Sequence, residues 1–207
     1  TALYAESQPN PALNSPLVEH SAPLEGKEVR FGTTATVLWT ETTTAASNGS
    51  VNGMHDSLNP LSGMVALANM MVGEVIFGGV GAGLYGMLLN VLIAVFLAGL
   101  MIGRTPEYLG KKLQAKDVQL LVVTLLVIPV GVLVLSALAT SVPSAVASVS
   151  NPGAHGFSQV LYAFTSASAN NGSAFAGLNA NTPFYNLMLG LGMLIGRFGY
   201  ILPVLAL

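Results

Sequence analysis

The chain has 207 residues, of which 52% are hydrophobic and 8% charged, with a net charge of −2 and no cysteine. A soluble domain carries about 25% charged residues, so a chain this poor in charge cannot cover a water-facing surface and is expected in a lipid bilayer. Disulfides and thiolate metal sites are excluded, and the acidic balance, with no P-loop and no basic run, argues against a nucleic-acid partner.

Residues 1–33 are polar and rich in Pro, Asn and Glu, ending in the block Gly26 to Gly32. They are expected to form a water-exposed, extracytoplasmic loop. Residues 34–46 are small or apolar around Trp39 and too few to span a bilayer, which takes about 20 helical residues. A half-depth helix is expected there, followed by a polar loop through Asn59 with His55 and Asp56. From Pro60 to Gly103 the sole charge is Glu74. Gly78, Gly79, Gly81 and Gly83 crowd the middle of that stretch. Each glycine costs a helix roughly 1 kcal/mol relative to Ala, so a broken helix is predicted, unwound at those glycines. Such backbone survives at membrane depth only inside protein or beside a water-filled cavity.

Residues 104–117 hold Arg104, Lys111, Lys112 and Lys116 against Glu107 and Asp117, which makes this loop cytoplasmic by the positive-inside rule. Val118 to Thr140 reads as a clean spanning helix, with Pro129 as a candidate kink. Residues 141–156 read as a polar loop and 157–168 as a second half-length segment. After Pro183 an apolar stretch is interrupted by Arg197. The chain opens at Thr1 and stops at Leu207 inside that stretch, as expected of a piece of a larger membrane protein.

One motif is written twice. Thr42 to Ser50 and Thr165 to Ser173 are runs of small and hydroxyl residues ending in Asn-Gly-Ser, and they align without gaps at an offset of 123. The match extends to Trp39 on Tyr162, Pro60 on Pro183, Met70 on Met193 and Gly73 on Gly196. Transporters are commonly built from such repeats, with sites where the repeats meet. The two copies are expected to be re-entrant loops whose backbone carbonyls face a monovalent cation: Ala46, Ser47, Asn48, Gly49 and Ser50 in the first, Ala169, Asn170, Asn171, Gly172 and Ser173 in the second. Stacked carbonyls replace a hydration shell without fixing a charge that would trap the ion, and a short helix aims its negative C-terminal end at it. Gly49 and Gly172 are the expected hinges. Ordinary helix connections, glycosylation sequons and a neutral-solute site are the competing readings.

Loops that share a pore enter from one side, so an even number of crossings must separate them. Residues 118–140 cross once, and 60–103 must then also cross once. Glu74 and Arg197 occupy nearly equivalent repeat positions as intramembrane charges, each costing about 2.5–3.5 kcal/mol at a helix centre. A pairing between them, or an electrostatic barrier set by Arg197, is the expectation. Metal binding by His55, Asp56 and His155 is not favoured, because no ligand spacing recurs.

Several blocks of the chain resemble a known family. Thr43 to Ser47, Val51 to Ser57, Gly73 to Gly81, Gly103 to Lys112, Asn151 to Ser158 and Asn170 to Leu178 resemble the potassium-binding A subunits of the bacterial Kdp pumps, within the superfamily of potassium transporters. The resemblance covers nearly everything from Gly26 to Pro203. It implies an all-α polytopic membrane protein of four helix–pore loop–helix repeats, with re-entrant half-helices and a broken helix. Residues 34–103 would supply the pore helix, filter loop and broken second helix of repeat three, and 118–207 most of repeat four. It also implies K+ as the transported ion with no organic cofactor, a filter on the outer face of the bacterial inner membrane, and a gate at Gly78 to Gly83. A basic residue near that gate matches Arg197. The implied partners are the pump's ATPase (its B subunit), which carries the ATP chemistry, and the small C and F subunits. No Asp-Lys-Thr-Gly-Thr phosphorylation motif occurs here, in keeping with a non-catalytic subunit. A channel-like or symporter subunit, or a non-conducting scaffold, are the alternatives.

Overall fold

The computed structural model describes residues 1–9, 24–75, 77–79 and 82–207. Gly81 of the predicted gate, and 10–23 of the leading polar segment, lie outside the described residues.

Eight helices appear among them: α1 (Ala2–Glu6), α2 (Gly32–Ala45), α3 (Pro60–Met71), α4 (Ala82–Ile102), α5 (Ala115–Ser141), α6 (Pro143–Val146), α7 (Ala154–Ala169) and α8 (Pro183–Ala206). A 3-10 turn covers His55–Ser57. Gly83–Ile102, Ala115–Ser141 and Pro183–Ala206 are long and apolar enough to cross a membrane, with mean hydropathies of 2.3, 2.8 and 1.7. The expected all-α polytopic membrane protein is what the chain folds into. Between 60 and 103, α4 has spanning length and the 12-residue α3 does not.

Local chemistry explains the element ends. Pro60 and Pro183, equivalent in the repeat, open α3 and α8 in the first turn, where the missing N–H is no loss. Asp117 and Gln114 close a capping box at the start of α5, three residues before the expected Val118. β1 (Glu107–Tyr108) and β2 (Lys111–Lys112) form a hairpin inside the basic loop. Its turn residues Leu109 and Gly110 both have positive φ, 49° and 79°, as a type I′ turn requires. α5 runs unbroken through Pro129.

α5, α7 and α8 pack together around Leu135, Ala139, Val160, Phe164 and Tyr185. A second cluster joins α3 to α7: Ala66 and Met70 lie against Tyr162 and Phe175, whose rings stack at 4.1 Å. α7 is thereby fixed from both sides, and the loop that follows it inherits that rigidity.

Three expectations need correction. The leading segment is not wholly water-exposed. Glu6 and Lys27 form a fully buried ion pair at 2.8 Å, and Glu6 also accepts from the Asn59 backbone N at 2.9 Å, which pins the segment to the start of α3. The 141–156 loop contains the short helix α6. The break in the long apolar stretch begins at Val72, six residues before the glycine cluster, and Gly83 lies in the first turn of α4. The physical cause is a Schellman motif. Gly73, at φ +92°, donates to the Met70 carbonyl while the Glu74 N–H donates to Asn69.

Candidate functional site

The two short helices deliver the repeated motif in the same way. α2 spans 14 residues and α7 spans 16, roughly 21 and 24 Å at 1.5 Å per residue. α2 is a threonine-rich helix whose Thr36, Thr40 and Thr44 hydroxyls bond carbonyls one turn back, at 3.2, 2.9 and 2.7 Å. Small hydroxyl side chains can therefore be buried on a helix face with no orphaned donor. Each helix ends on a left-handed residue, Ser47 at φ 53° and Asn170 at φ 58°. Their following residues reach back equivalently, Asn48 N to Thr43 O at 3.2 Å and Asn171 N to Ser166 O at 2.9 Å. The next turn is also shared: the Asn48 carboxamide oxygen accepts from Ser50 N at 2.8 Å, and that of Asn171 from Ser173 N at 3.0 Å. The offset of 123 is thus a repeat of hydrogen bonds as well as of letters.

The loops meet at their glycines. A Cβ placed on Gly49 would come within 2.9 Å of the Gly172 carbonyl carbon and 3.0 Å of the Asn171 carbonyl oxygen. Gly172 has φ +99°, while Gly49 is not among the positive-φ residues. Gly172 thus keeps the expected hinge conformation, Gly49 is needed for close approach instead, and Ser47 and Asn170 are left-handed as well. The Ser47 hydroxyl lies 3.4 Å from the Ala169 carbonyl. Two of the first loop's candidate carbonyls are engaged as well. Thr43 Oγ1 reaches Asn48 O at 2.7 Å and Ser50 O at 2.8 Å, and Trp39 Nε1 donates to Ser50 O at 3.1 Å.

The break after α3 lies against the first loop. Gly78 N donates to Ala45 O at 3.3 Å, a Cβ on Gly79 would stand 2.6 Å from that of Ser47, and one on Gly78 would come within 2.7 Å of the Gly83 Cα. A cavity of about 220 Å³ opens beside both loops. Ser47, Ala169 and Asn170 line it together with Glu74, Asn90, Thr124 and Arg197. Glu74 is 4% exposed, and its carboxylate accepts from Asn171 Nδ2 at 2.8 Å. The expected Glu74–Arg197 pair is not formed, since no ion pair within 4.0 Å joins them among the described residues. Glu74 turns toward the second loop because the Schellman end of α3 redirects it, while Arg197 stays on the continuous α8. Both still face the same cavity.

Sequence reasoning missed the polar chain behind the second loop. Tyr162 is fully buried, and its hydroxyl lies 2.9 Å from both His55 Nδ1 and Ser173 Oγ. Ser173 Oγ in turn donates to Asn171 Oδ1 at 2.6 Å. The pairing of Trp39 with Tyr162 in the repeat alignment was the available signal. Burial lowers the His55 pKa from 6.5 to about 4, so the imidazole is neutral near pH 7. Asp56 accepts from Gln159 Nε2 at 3.0 Å and lies 3.0 Å from His155 Nε2, latching the His55–Ser57 turn onto α7. No cluster of three metal-ligating side chains occurs among the described residues.

The family model described as potassium-transporting ATPase A subunit matches residues 1–207. A potassium-transporting ATPase potassium-binding subunit of Pseudomonas fluorescens strain Pf0-1 is 86% identical over 207 residues, covering all of the chain and 37% of the relative. That of Pseudomonas aeruginosa is 75% identical over 206 residues, with 100% and 36% covered. That of Dechloromonas aromatica is 58% identical over 208 residues, with 100% and 35% covered. The chain spans little more than a third of the length of these relatives.

Proposed function

The chain belongs to the potassium-transporting ATPase A subunit family, and from that premise we propose that it forms two of the four pore loops through which a pump selects K+. The observation that carries this reading is the contact, at Gly49 and Gly172, of two loops that share the backbone bond closing each helix end and the Asn-to-Ser turn after it. Loops that touch lie at one depth, as a shared ion path requires, and the even number of crossings between them brings both in from one side. α2 and α7 both end at the loops, so the negative ends of two helix dipoles meet there. Carbonyls of Ala46 to Gly49 and Ala169 to Gly172 replace the water of a dehydrating K+.

The ion then enters the cavity beside the loops. Gly79 packs against Ser47, Gly78 and Gly83 pack against each other, and the three form the gate. Arg197 raises the electrostatic barrier to a cation on the α8 side. ATP chemistry belongs to the B subunit, a separate chain, and the small C and F subunits complete a pump in the bacterial inner membrane. The loops face outward, together with the extracytoplasmic segment 1–33. Residues 104–117, with their lysines, face the cytoplasm. Residues 34–103 and 118–207 act as two successive helix–pore loop–helix units.

The test is K+-stimulated ATPase activity of the assembled pump. Gly49→Asp and Gly172→Asp each place a carboxylate in the contact between the loops and are expected to abolish K+ stimulation. Full stimulation in both variants would overturn the filter assignment.

A further inference from the structure

The equivalent asparagines of the two loops are used very differently. Asn48 is exposed, and its carboxamide makes one bond to its own loop. Asn171 is 5% exposed and makes four. Its Oδ1 accepts from Ser173 N at 3.0 Å and Ser173 Oγ at 2.6 Å. Its Nδ2 donates to Thr43 O at 3.1 Å and to Glu74 Oε1 at 2.8 Å. A carboxamide has two donors and two acceptor lone pairs, so every one is filled. The assignment of O and N is fixed by the partners: a backbone N–H lies on one side, a carbonyl and a carboxylate on the other.

These four bonds join three pieces of chain. They are the second loop, the last turn of α2, and the residue where the broken helix turns away. The Thr43 carbonyl that Asn171 grips is also the one that caps the first loop through Asn48 N. Behind Asn171, Ser173 leans on the buried Tyr162 hydroxyl. The carboxamide therefore has a rigid support on one side and the cavity carboxylate on the other.

We propose that the Asn171 side chain is a positioning residue for K+ selectivity, setting the spacing of the two loops and coupling it to the break after α3 through Glu74. This rests on the filter reading above. It assigns the side chain a task separate from that of the residue's backbone carbonyl. If Asn171 holds the loops at one spacing, its loss widens the range of spacings. A filter with a wider range discriminates less well between ions of similar size. It also presents fewer carbonyls to K+ at once, which weakens binding more than it slows turnover.

The experiment measures K+- and Rb+-stimulated ATPase activity in the intact, assembled pump. Asn171→Ala is expected to raise the K+ KM about tenfold or more, with kcat changed less than threefold, and to shrink the ratio of K+ to Rb+ efficiency. Asn171→Asp sets two carboxylates together and is expected to be worse than Asn171→Ala. Adding Glu74→Gln to Asn171→Asp returns a donor–acceptor pair in reversed polarity and is expected to recover KM at least partly. A merely structural role would lower assembly and kcat without shifting the ratio of K+ to Rb+ efficiency. Should Asn171→Ala fail to assemble, Ser173→Ala, which leaves the carboxamide in place but removes its hydroxyl support, carries the test and is expected to raise KM about threefold. KM and ion ratio within twofold of the unaltered pump in whichever of these two variants assembles would overturn the proposal, as would no recovery in the double variant. Failure of the filter reading is separately visible: Gly49→Asp and Gly172→Asp would then leave K+ stimulation intact whatever Asn171 does.

Discussion

The two units of the repeat share a loop and differ in the helix that follows it. After the first loop α3 stops at Met71, while after the second α8 runs 24 residues through the aligned position. Gly73 and Gly196 are equivalent by the offset of 123, yet they serve opposite needs. Gly73 adopts φ +92° in open surroundings and ends a helix. Gly196 sits inside a helix with no room beside it. A Cβ there would overlap the Ser168 carbonyl oxygen and stand 2.9 Å from Asn170 Nδ2. One glycine supplies a backbone conformation and the other a close approach between α8 and the end of α7. A repeated glycine thus preserves the option of a break without dictating it. The residues that follow differ at one place: Gly78 and Gly79 come after Gly73, while Ile201 and Leu202 stand at the equivalent positions after Gly196.

The sharpest way to break that contrast is to put a methyl group at each site. Gly196→Ala must displace backbone, so its cost is expected at or above the ~3 kcal/mol upper range typical of overpacking, with loss of K+ stimulation in the assembled pump. Thermal unfolding and ATPase assays check both. Gly73→Ala meets strain from its left-handed conformation but no collision. A loss of about 1–2 kcal/mol is expected, with the pump still stimulated by K+. Equal effects at the two sites would erase the distinction between conformation and packing.

Tyr162 and Trp39 offer a second contrast, since they are also equivalent by the repeat. Tyr162→Phe removes a buried hydroxyl from both His55 and Ser173, and a loss of about 1–3 kcal/mol is expected from the unsatisfied partners. Trp39→Phe removes a bond to Ser50 O at a half-exposed site, and about 0.5–1.5 kcal/mol is expected. Chemical denaturation of the two variants ranks them. The reverse order would mean that the chain behind the second loop is not the firmer support.

The last expected effect is a pH dependence. His55 is buried and neutral, with Nε2 unpartnered among the described residues, and its folded pKa lies near 4 against 6.5. Between those values the unfolded chain binds the extra proton, so stability rises with pH. The contribution is complete above about 6.5 and is lost progressively as pH falls toward 4. Melting temperatures at pH 7.5 and pH 5 are expected to differ less in His55→Asn, which cannot titrate.

Much of this was legible in the letters. Charge poverty named the solvent, the offset of 123 found the paired loops, and Pro60 and Pro183 marked the helices behind them. Glycine counting was less informative. It placed the break at Gly78 to Gly83, whereas a single Gly73 in a Schellman turn ends the helix earlier. It also placed hinges at Gly49 and Gly172; Gly172 does take a positive φ, but Gly49 does not, and Ser47 and Asn170 take the left-handed helix-end positions. Ser and Asn can occupy such caps at modest cost, and nothing in composition says which glycine is there for its φ and which for its missing side chain. The Asn171–Glu74 bond was invisible for another reason: it joins residues 97 apart, and only the packed loops bring them together.

The central claim is that the two loops jointly hold a cation. It is tested most directly by anomalous scattering from crystals of the complete pump grown with Tl+ in place of K+. The account predicts a peak between the Ala46–Gly49 and Ala169–Gly172 backbones, within coordination distance of carbonyls from both. Peaks confined to the cavity beside Glu74 and Arg197, with none between the loops, would contradict it.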